Sequence, residues 1–517
     1  MANFFNAGGA QDPLDMGAIS ATVDTITNFS SSLFAFDNAA GDVIAINGSG
    51  LTYDGSHRPT GGTANQLNIN FAGGGGIAVG TLAGVVVSNL DGGTRAFWNE
   101  ILKGPTAFLL SGLAQSEVGA GQNVIFGDDS AARAATGAVS VTDSGGDDVM
   151  NGADNAFDLL GDVLGVIGFA FNNSFAIYDA GDDTIIGGAT AERTRIAGDA
   201  RTVAVRGTLN GGDDELNSGA TTNIASIVVG DVLAQTGGVV NGGDDLLTRN
   251  AAAIFTDLTG DVDVFSGGVM NGGADTLVAQ GSGSGLLIGD VGIISFDATG
   301  TVTCGNDTIT GAAGGDQLLG DLANPGNDTA SIVAGADVIN GGGGDDEIFG
   351  EVGVNGVENV TGGDDQLNGN SGADTILGQT GGDRLRGGTG DDSLVGGAGR
   401  DRLEGEGNAD ILEGGDDRDR LEGGAGKDTM TGGAGLDIYV FAAAGNVDRI
   451  TDFADAGVAA DDLINVEAFE FASIAQIQIR ANGNDAVLTF ADGDKAVLVG
   501  YLLGHSLGDL GADDFVL

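Results

Sequence analysis

Between residues 369 and 440 an aspartate returns every ninth residue. The stretch divides into eight consecutive nonapeptides, GNSGADTIL, GQTGGDRLR, GGTGDDSLV, GGAGRDRLE, GEGNADILE, GGDDRDRLE, GGAGKDTMT and GGAGLDIYV. Their sixth positions are Asp374, Asp383, Asp392, Asp401, Asp410, Asp419, Asp428 and Asp437. Two earlier units, GGGGDDEIF at 341–349 and VTGGDDQLN at 360–368, add Asp346 and Asp365. Carboxylates and backbone carbonyls, with no His or Cys among them, form a hard oxygen donor set that selects Ca2+ or Mg2+ over transition metals. Flexible loops favour Ca2+, because Mg2+ demands near-octahedral geometry and keeps its waters. Glycine enters the φ > 0 region at no steric cost, so glycines before the aspartate let a tight turn aim several carbonyls at one spot.

The elements that must position these carboxylates are minimal. Positions seven to nine read x-U-x, a short strand with one side chain directed inward. The eighth residues are Ile376, Leu385, Leu394, Leu403, Leu412, Leu421, Met430 and Tyr439. One core residue in nine is too little apolar burial to offset the entropy of ordering the chain. Metal binding must supply the difference, so folding is expected to be coupled to calcium. Two units depart from the pattern, with Asn408 and Asp417 at the fourth position in place of glycine. Both residue types tolerate the left-handed region better than most, so their turns are expected to survive.

A longer and looser repeat occupies about 120–350. A Gly-Asp element recurs with its glycine at 127, 161, 198, 230, 260, 289 and 320, and Gly350-Glu351 is a variant of it. Glycine-and-aspartate corners such as NGGDDEL, NGGDDLL and NGGADTL lie between these elements, each followed by strand-like residues. This is the pattern of a β-solenoid with wider coils than the nonapeptides give. The expected organisation is therefore all-β in four parts. Residues 1–120 form a β-rich module with one short helix at TRAFWNEILKG, 121–340 the wide solenoid, 341–440 the calcium-binding nonapeptide region, and 441–517 a C-terminal cap.

Composition narrows the partners. Lys+Arg number 19 against 74 Asp+Glu, a formal charge of −55. Such a surface repels nucleic acid and anionic membranes, and a compact state carrying it needs bound cations. High glycine and high charge suggest disorder, but 41% hydrophobic residues in short Ile/Val/Leu runs argue against it. Cys304 is the only cysteine, so no intramolecular disulfide is available, and it reads as a small buried apolar residue. The N-terminal MANFFNAGGAQDP has no basic, then apolar, signal-peptide pattern. The most apolar stretch, 157–175, is broken by Asp158 and Asp162 and is not expected to span a membrane.

These nonapeptides resemble the G-G-x-G-x-D-x-U-x repeat of RTX (repeats-in-toxin) hemolysin-type proteins. The resemblance implies a parallel β-roll in which alternate units stack on the same side and several calcium ions lie between successive loops. It makes the sixth-position aspartates ligands, completed by backbone carbonyls of loop residues such as Gly388, Gly390, Gly397, Gly399, Gly424 and Gly426. DIYVF (437–441), DRITDF (448–453), DDLINV (461–466) and the tail Asp513-Asp514-Phe515-Val516-Leu517 resemble the region after the repeats in serralysin-type secreted proteins. In that family the region carries an uncleaved signal for type I export. LTYDGSHRPTGGT (51–63) with AFWNEIL (96–102) resembles a module preceding the repeats in many bacterial RTX-type proteins. Export then fits the physics. Cytoplasmic calcium is low, so the acidic chain stays threadable, and it folds outside.

The motifs leave catalysis open but lean against it. The zinc-protease pattern H-E-x-x-H is absent, His57 and His505 lie in unrelated contexts, and no serine-hydrolase nucleophile elbow is expected. The segment ERTRIAGDARTVAVRG (192–207) concentrates Arg193, Arg195, Arg201 and Arg206, read first as outward side chains pairing with aspartates. The function expected is a secreted calcium-binding repeat protein with a surface-layer, biofilm or adhesin-like structural role. Its expected partners are calcium, the type I export machinery, and cell-surface or matrix polysaccharide. The competing class is a calcium-dependent polysaccharide lyase or epimerase on the wide solenoid.

Overall fold

The computed structural model describes separate strand segments from Val23 to Ile186, for most of which the backbone alone is described, with residues 180, 182 and 183. Beyond these it describes residues 195–200, 203, 207–218, 226–250, 256–324, 330–352, 360–441, 447–453, 462–490, 493–503, 505–507 and 509–517. The chain forms two compact units, one of residues 1–277 with 290–302, the other of 278–289 with 303–517.

The first unit opens on an antiparallel sheet. Val23–Ser30, Leu33–Asn38, Val43–Tyr53 and Pro59–Asn70 pair in sequence order, and Gly76–Ala78 and Val85–Val86 both pair with Pro59–Asn70. The helix expected over 94–104 lies outside the described residues. Coils with three parallel strands follow. One sheet carries Asp148–Asn151, Thr184–Ile186, Glu215–Asn217 and Leu246–Arg249. A second carries Asp158–Leu160, Arg195–Ala197, Ser226–Val229 and Thr256–Thr259. A third carries Ser140–Ser144, Phe175–Asp179, Gly207–Asn210, Val239–Asn241 and Val262–Asn271. Parallel register places like on like, so Ile185, Leu216 and Leu247 stack in one column. Ile196, Val228 and Leu258 form another, and Leu209, Val240 and Met270 a third. All nine are fully buried. The Asn of each N-G-G corner forms an outer ladder, with Asn241 Nδ2 donating to Asn210 Oδ1 and Asn271 Nδ2 to Asn241 Oδ1, both 2.7 Å.

In the second unit alternate nonapeptides go to opposite sheets. Gln366–Ser371, Arg384–Thr389, Arg402–Gly407, Arg420–Glu422 and Ile438–Val440 stack in one, and Thr375–Thr380, Ser393–Ala398, Ile411–Asp416 and Thr429–Ala434 in the other. Each residue pairs with the one 18 later, as Leu394 does with Leu412 and Leu403 with Leu421. Every eighth-position side chain from Ile376 to Tyr439 is fully buried. Parallel strands add a second apolar stripe of Ile288, Leu319, Phe349 and Leu377, with Val395 packed against it. The roll ends on an antiparallel hairpin, Gln478–Asn482, Asp485–Thr489 and Lys495–Leu498, whose last strand pairs with Val447–Ile450. Phe441, Phe469, Phe471 and Phe490 form one aromatic cluster there, and Tyr439, Phe453 and Tyr501 another. Among the described residues no helix is long and apolar enough to cross a membrane.

Candidate metal centre

The turn before each strand brings its aspartate into the stack. In the loops the fourth-position Asn408 and Asp417 do take left-handed backbone, at φ 84° and 74°. Three second-position residues that sequence reasoning passed over, Asn370, Gln379 and Glu406, do the same at 70–76°. The left-handed conformation costs a side-chain-bearing residue about 1–2 kcal/mol, so the stack imposes it rather than local preference.

The sixth-position aspartates form two hydrogen-bonded ladders. On one face the N–H of Asp346 donates to Asp374 Oδ1, that of Asp374 to Asp392 Oδ1, that of Asp392 to Asp410 Oδ1 and that of Asp410 to Asp428 Oδ1, at 2.8–3.0 Å. On the other, Asp365, Asp383, Asp401, Asp419 and Asp437 are linked the same way at 2.8–3.0 Å. Each aspartate is at most 3% exposed. Oδ1 is thus satisfied across the coil, while the buried Oδ2 of every one of these ten residues has no hydrogen-bond partner.

The first glycine of each unit faces that second oxygen. A Cβ on Gly396 would collide with Asp401 Oδ2 and lie 2.6 Å from the Gly414 carbonyl oxygen; on Gly405 it would lie 2.5 Å from Asp410 Oδ2 and 2.6 Å from the Gly423 oxygen. Carboxylate and first-position carbonyl therefore converge on one point. These first-position carbonyls were missed, although glycine opens all eight units. The carbonyls expected from second and fourth positions stack on their counterparts two units away. The Gly397 oxygen faces Gly415, and Gly388, Gly390, Gly399, Gly424 and Gly426 sit against the carbonyls of Asn370, Gly372, Gly381, Glu406 and Asn408.

Electrostatics give the same picture. Burial, reinforced by neighbouring carboxylates and only partly offset by the N–H bonds, pushes the ladder aspartates above their usual range. They reach about 6 at Asp374, about 7 at Asp346, Asp383, Asp401 and Asp419, and about 8 at Asp365 and Asp410. Asp392, Asp428 and Asp437 are raised too, chiefly by burial. Glu404 shows the contrast. Burial pushes it up, but Arg402, Arg386 and Arg384 around it bring it below its ordinary range. The groups acting on the ladder are carboxylates and amides, so its charge lacks such a counterion. Orphaned, buried, hard oxygens with a converging carbonyl fit a divalent calcium-like cation.

The ladders run past the nonapeptides. The N–H of Asp428 donates to Asp448 Oδ1 and that of Asp437 to Asp462 Oδ1, both 3.0 Å. At the other end Asp316 reaches Asp346, and Asp307 and Asp337 continue to Asp365, at 2.7–2.8 Å. Sequence reasoning did not name these residues. Their signal was the D-x-U triplet, as in Asp448-Arg449-Ile450 and Asp462-Leu463-Ile464.

Other features did not assemble. Cys304 is a partly buried thiol rather than a fully buried one. Arg195 begins a strand, whereas Arg193, Arg201, Arg206 and His57 lie outside the described residues. Contrary to the expectation of no elbow motif, Gly504-His505-Ser506-Leu507-Gly508 does spell G-x-S-x-G. That pattern needs a strand-to-helix turn around its serine. Here exposed Ser506 follows a 3-10 turn, Tyr501–Leu503, its N–H donates to Asp509 Oδ2, and exposed His505 stacks on Tyr501. The motif match is not an elbow.

The stacked loops, the buried aspartate ladders and the 18-residue register define a calcium-binding β-roll. The family model for the RTX calcium-binding nonapeptide repeat (4 copies) matches residues 305–330, 322–357, 359–392, 377–412 and 404–439. Within residues 305–439 the chain therefore carries RTX calcium-binding nonapeptide repeats. No curated protein matches the chain.

Proposed function

We propose that Asp346, Asp365, Asp374, Asp383, Asp392, Asp401, Asp410, Asp419, Asp428 and Asp437 hold calcium through Oδ2, with loop carbonyls completing each site. The protein is then a secreted repeat protein that folds on extracellular calcium and serves a structural role at the cell surface or in the surrounding matrix. The observation that carries this reading is the column of buried Oδ2 atoms without a partner. Such atoms are costly unless a cation meets them, and calcium at extracellular concentration supplies it. Residues 441–517 act in type I export on this reading, and polysaccharide of the surface or matrix is the partner. Fractionating the source culture with and without chelator tests it. Cell-associated protein that chelator releases supports the structural role; protein retained in the cytoplasm under both conditions refutes it.

A further inference from the structure

The wide coils of the first unit carry buried carboxylates that the nonapeptide match, which starts at residue 305, does not reach. Among the described residues each coil supplies two. One follows the glycine of the Gly-Asp element, as Asp231 follows Gly230 and Asp261 follows Gly260. The other closes the N-G-G corner, as Asp245 does. Asp231 and Asp261 are fully buried and Asp245 is 2% exposed.

One oxygen of each is satisfied. The Gly243 N–H donates to Asp231 Oδ1 at 3.4 Å, the Gly273 N–H to Asp261 Oδ1 at 3.1 Å, and the Asp214 N–H to Asp245 Oδ1 at 2.7 Å. The Oδ2 of all three has no hydrogen-bond partner. Glycines mark where these groups meet. A Cβ on Gly242 would lie 2.8 Å from Asp231 Oδ2 and collide with Asp261 Oδ1. A Cβ on Gly230 would collide with both Asp245 Oδ2 and the Gly260 carbonyl oxygen. The Asp231 charge acts on both Asp245 and Asp261. Burial, then the charge of Asp231 on Asp245 and the charges of Asp275 and Asp231 on Asp261, holds both carboxyls well above the ordinary carboxylate range.

Comparison with the roll explains the arrangement. Gly230 stands to Asp245 Oδ2 and the Gly260 carbonyl as Gly405 stands to Asp410 Oδ2 and the Gly423 carbonyl. It is therefore the equivalent of a first-position glycine. The next residue, a glycine or a left-handed side chain in the nonapeptide, is here Asp231, so each wide coil adds one carboxylate per turn. We infer that the wide coils bind their own column of calcium ions, with one site formed by the carboxylates of Asp231, Asp245 and Asp261 and the Gly260 carbonyl. All donors are oxygen, three are anionic, and all come from loops, which is the donor chemistry of calcium. The inference goes beyond the proposed function, since the nonapeptide sites could bind calcium without it.

Calcium bound per full-length chain, counted after equilibrium dialysis, tests the site. The variant D231N/D245N/D261N keeps each Oδ1 acceptor and side-chain volume, so circular dichroism in calcium should remain that of the parent. Its count should fall by at least one ion, while D392N/D410N should lose ions of the roll and keep those of the wide coils. An unchanged count in the first variant overturns the inference and leaves the carboxyls neutralised by shared protons. If neither variant lowers the count, the proposed function fails as well. Should the triple variant lose β-structure, single Asp231→Asn carries the same count, with the same two outcomes.

Discussion

Replacing Asp410 by Asn should change the stability of the roll in opposite directions with and without calcium. Asp410 is buried, its Oδ1 accepts the Asp392 N–H at 2.9 Å, and its Oδ2 has no partner. Burial and the charges of Asp428 and Asp392 raise its carboxyl from 3.8 to about 8. At pH 7 without calcium, the folded chain must hold a proton that the unfolded chain has released. That gap of about 3.2 pH units costs roughly 4 kcal/mol at 1.36 kcal/mol per unit. Solvent screening and relaxation reduce it to about 2 kcal/mol. Asparagine keeps the Oδ1 acceptor and removes the charge, so in EGTA the variant should be about 2 kcal/mol more stable. In saturating calcium it lacks an anionic ligand, and it should be less stable than the parent and need more calcium to fold. Circular dichroism reads both effects, as the amount of β-structure present in EGTA and as the urea midpoint in calcium. A variant destabilised to the same degree in both conditions would refute the reasoning, because the side chain would then act only as a packing group.

Acid should partly replace calcium. Carboxyls with folded values above their unfolded 3.8 favour the fold below 3.8 and cost it stability as pH rises through about 6–8. In EGTA, β-structure should therefore increase from pH 8 toward pH 5, and calcium affinity should fall over the same window; a pH-independent EGTA spectrum counts against the ladder's electrostatics. Gly396→Ala should abolish cooperative calcium folding, because its Cβ meets the Asp401 carboxylate and the Gly414 carbonyl. Gly483→Ala, at φ 67° with nothing within 4 Å, should cost only about 1–2 kcal/mol. Equal effects in the two melting curves would contradict the close-approach argument. Deleting residues 460–517 removes Asp462 and the hairpin that cap the stack, and should trap the protein inside the cell. Normal amounts in the medium would exclude an export role for that segment.

Much of the roll was legible because its repeat is strict. A fixed nine-residue grammar places every Leu of the x-U-x strands inward and every sixth aspartate at one height, so Leu394, Leu403, Asp392 and Asp401 could be assigned from spacing alone. The wide coils were only half legible. Their loops vary in length, so spacing does not show that Gly230 and Asp245, 15 residues apart, meet at one point. The capping aspartates Asp448 and Asp462 were obscured for the same reason, since insertions stretch their ladder steps from 18 residues to 20 and 25.

By itself the sequence determined the chemistry and the period: hard oxygen donors, glycine turns and one inward side chain per nine residues. Only the tertiary structure decided how the two oxygens of each carboxylate divide their work. Parallel stacking sets the backbone N–H of one coil against Oδ1 of the next aspartate in the column and leaves Oδ2 facing a first-position carbonyl. That division depends on the distance between coils, and no residue spacing along a single chain records it.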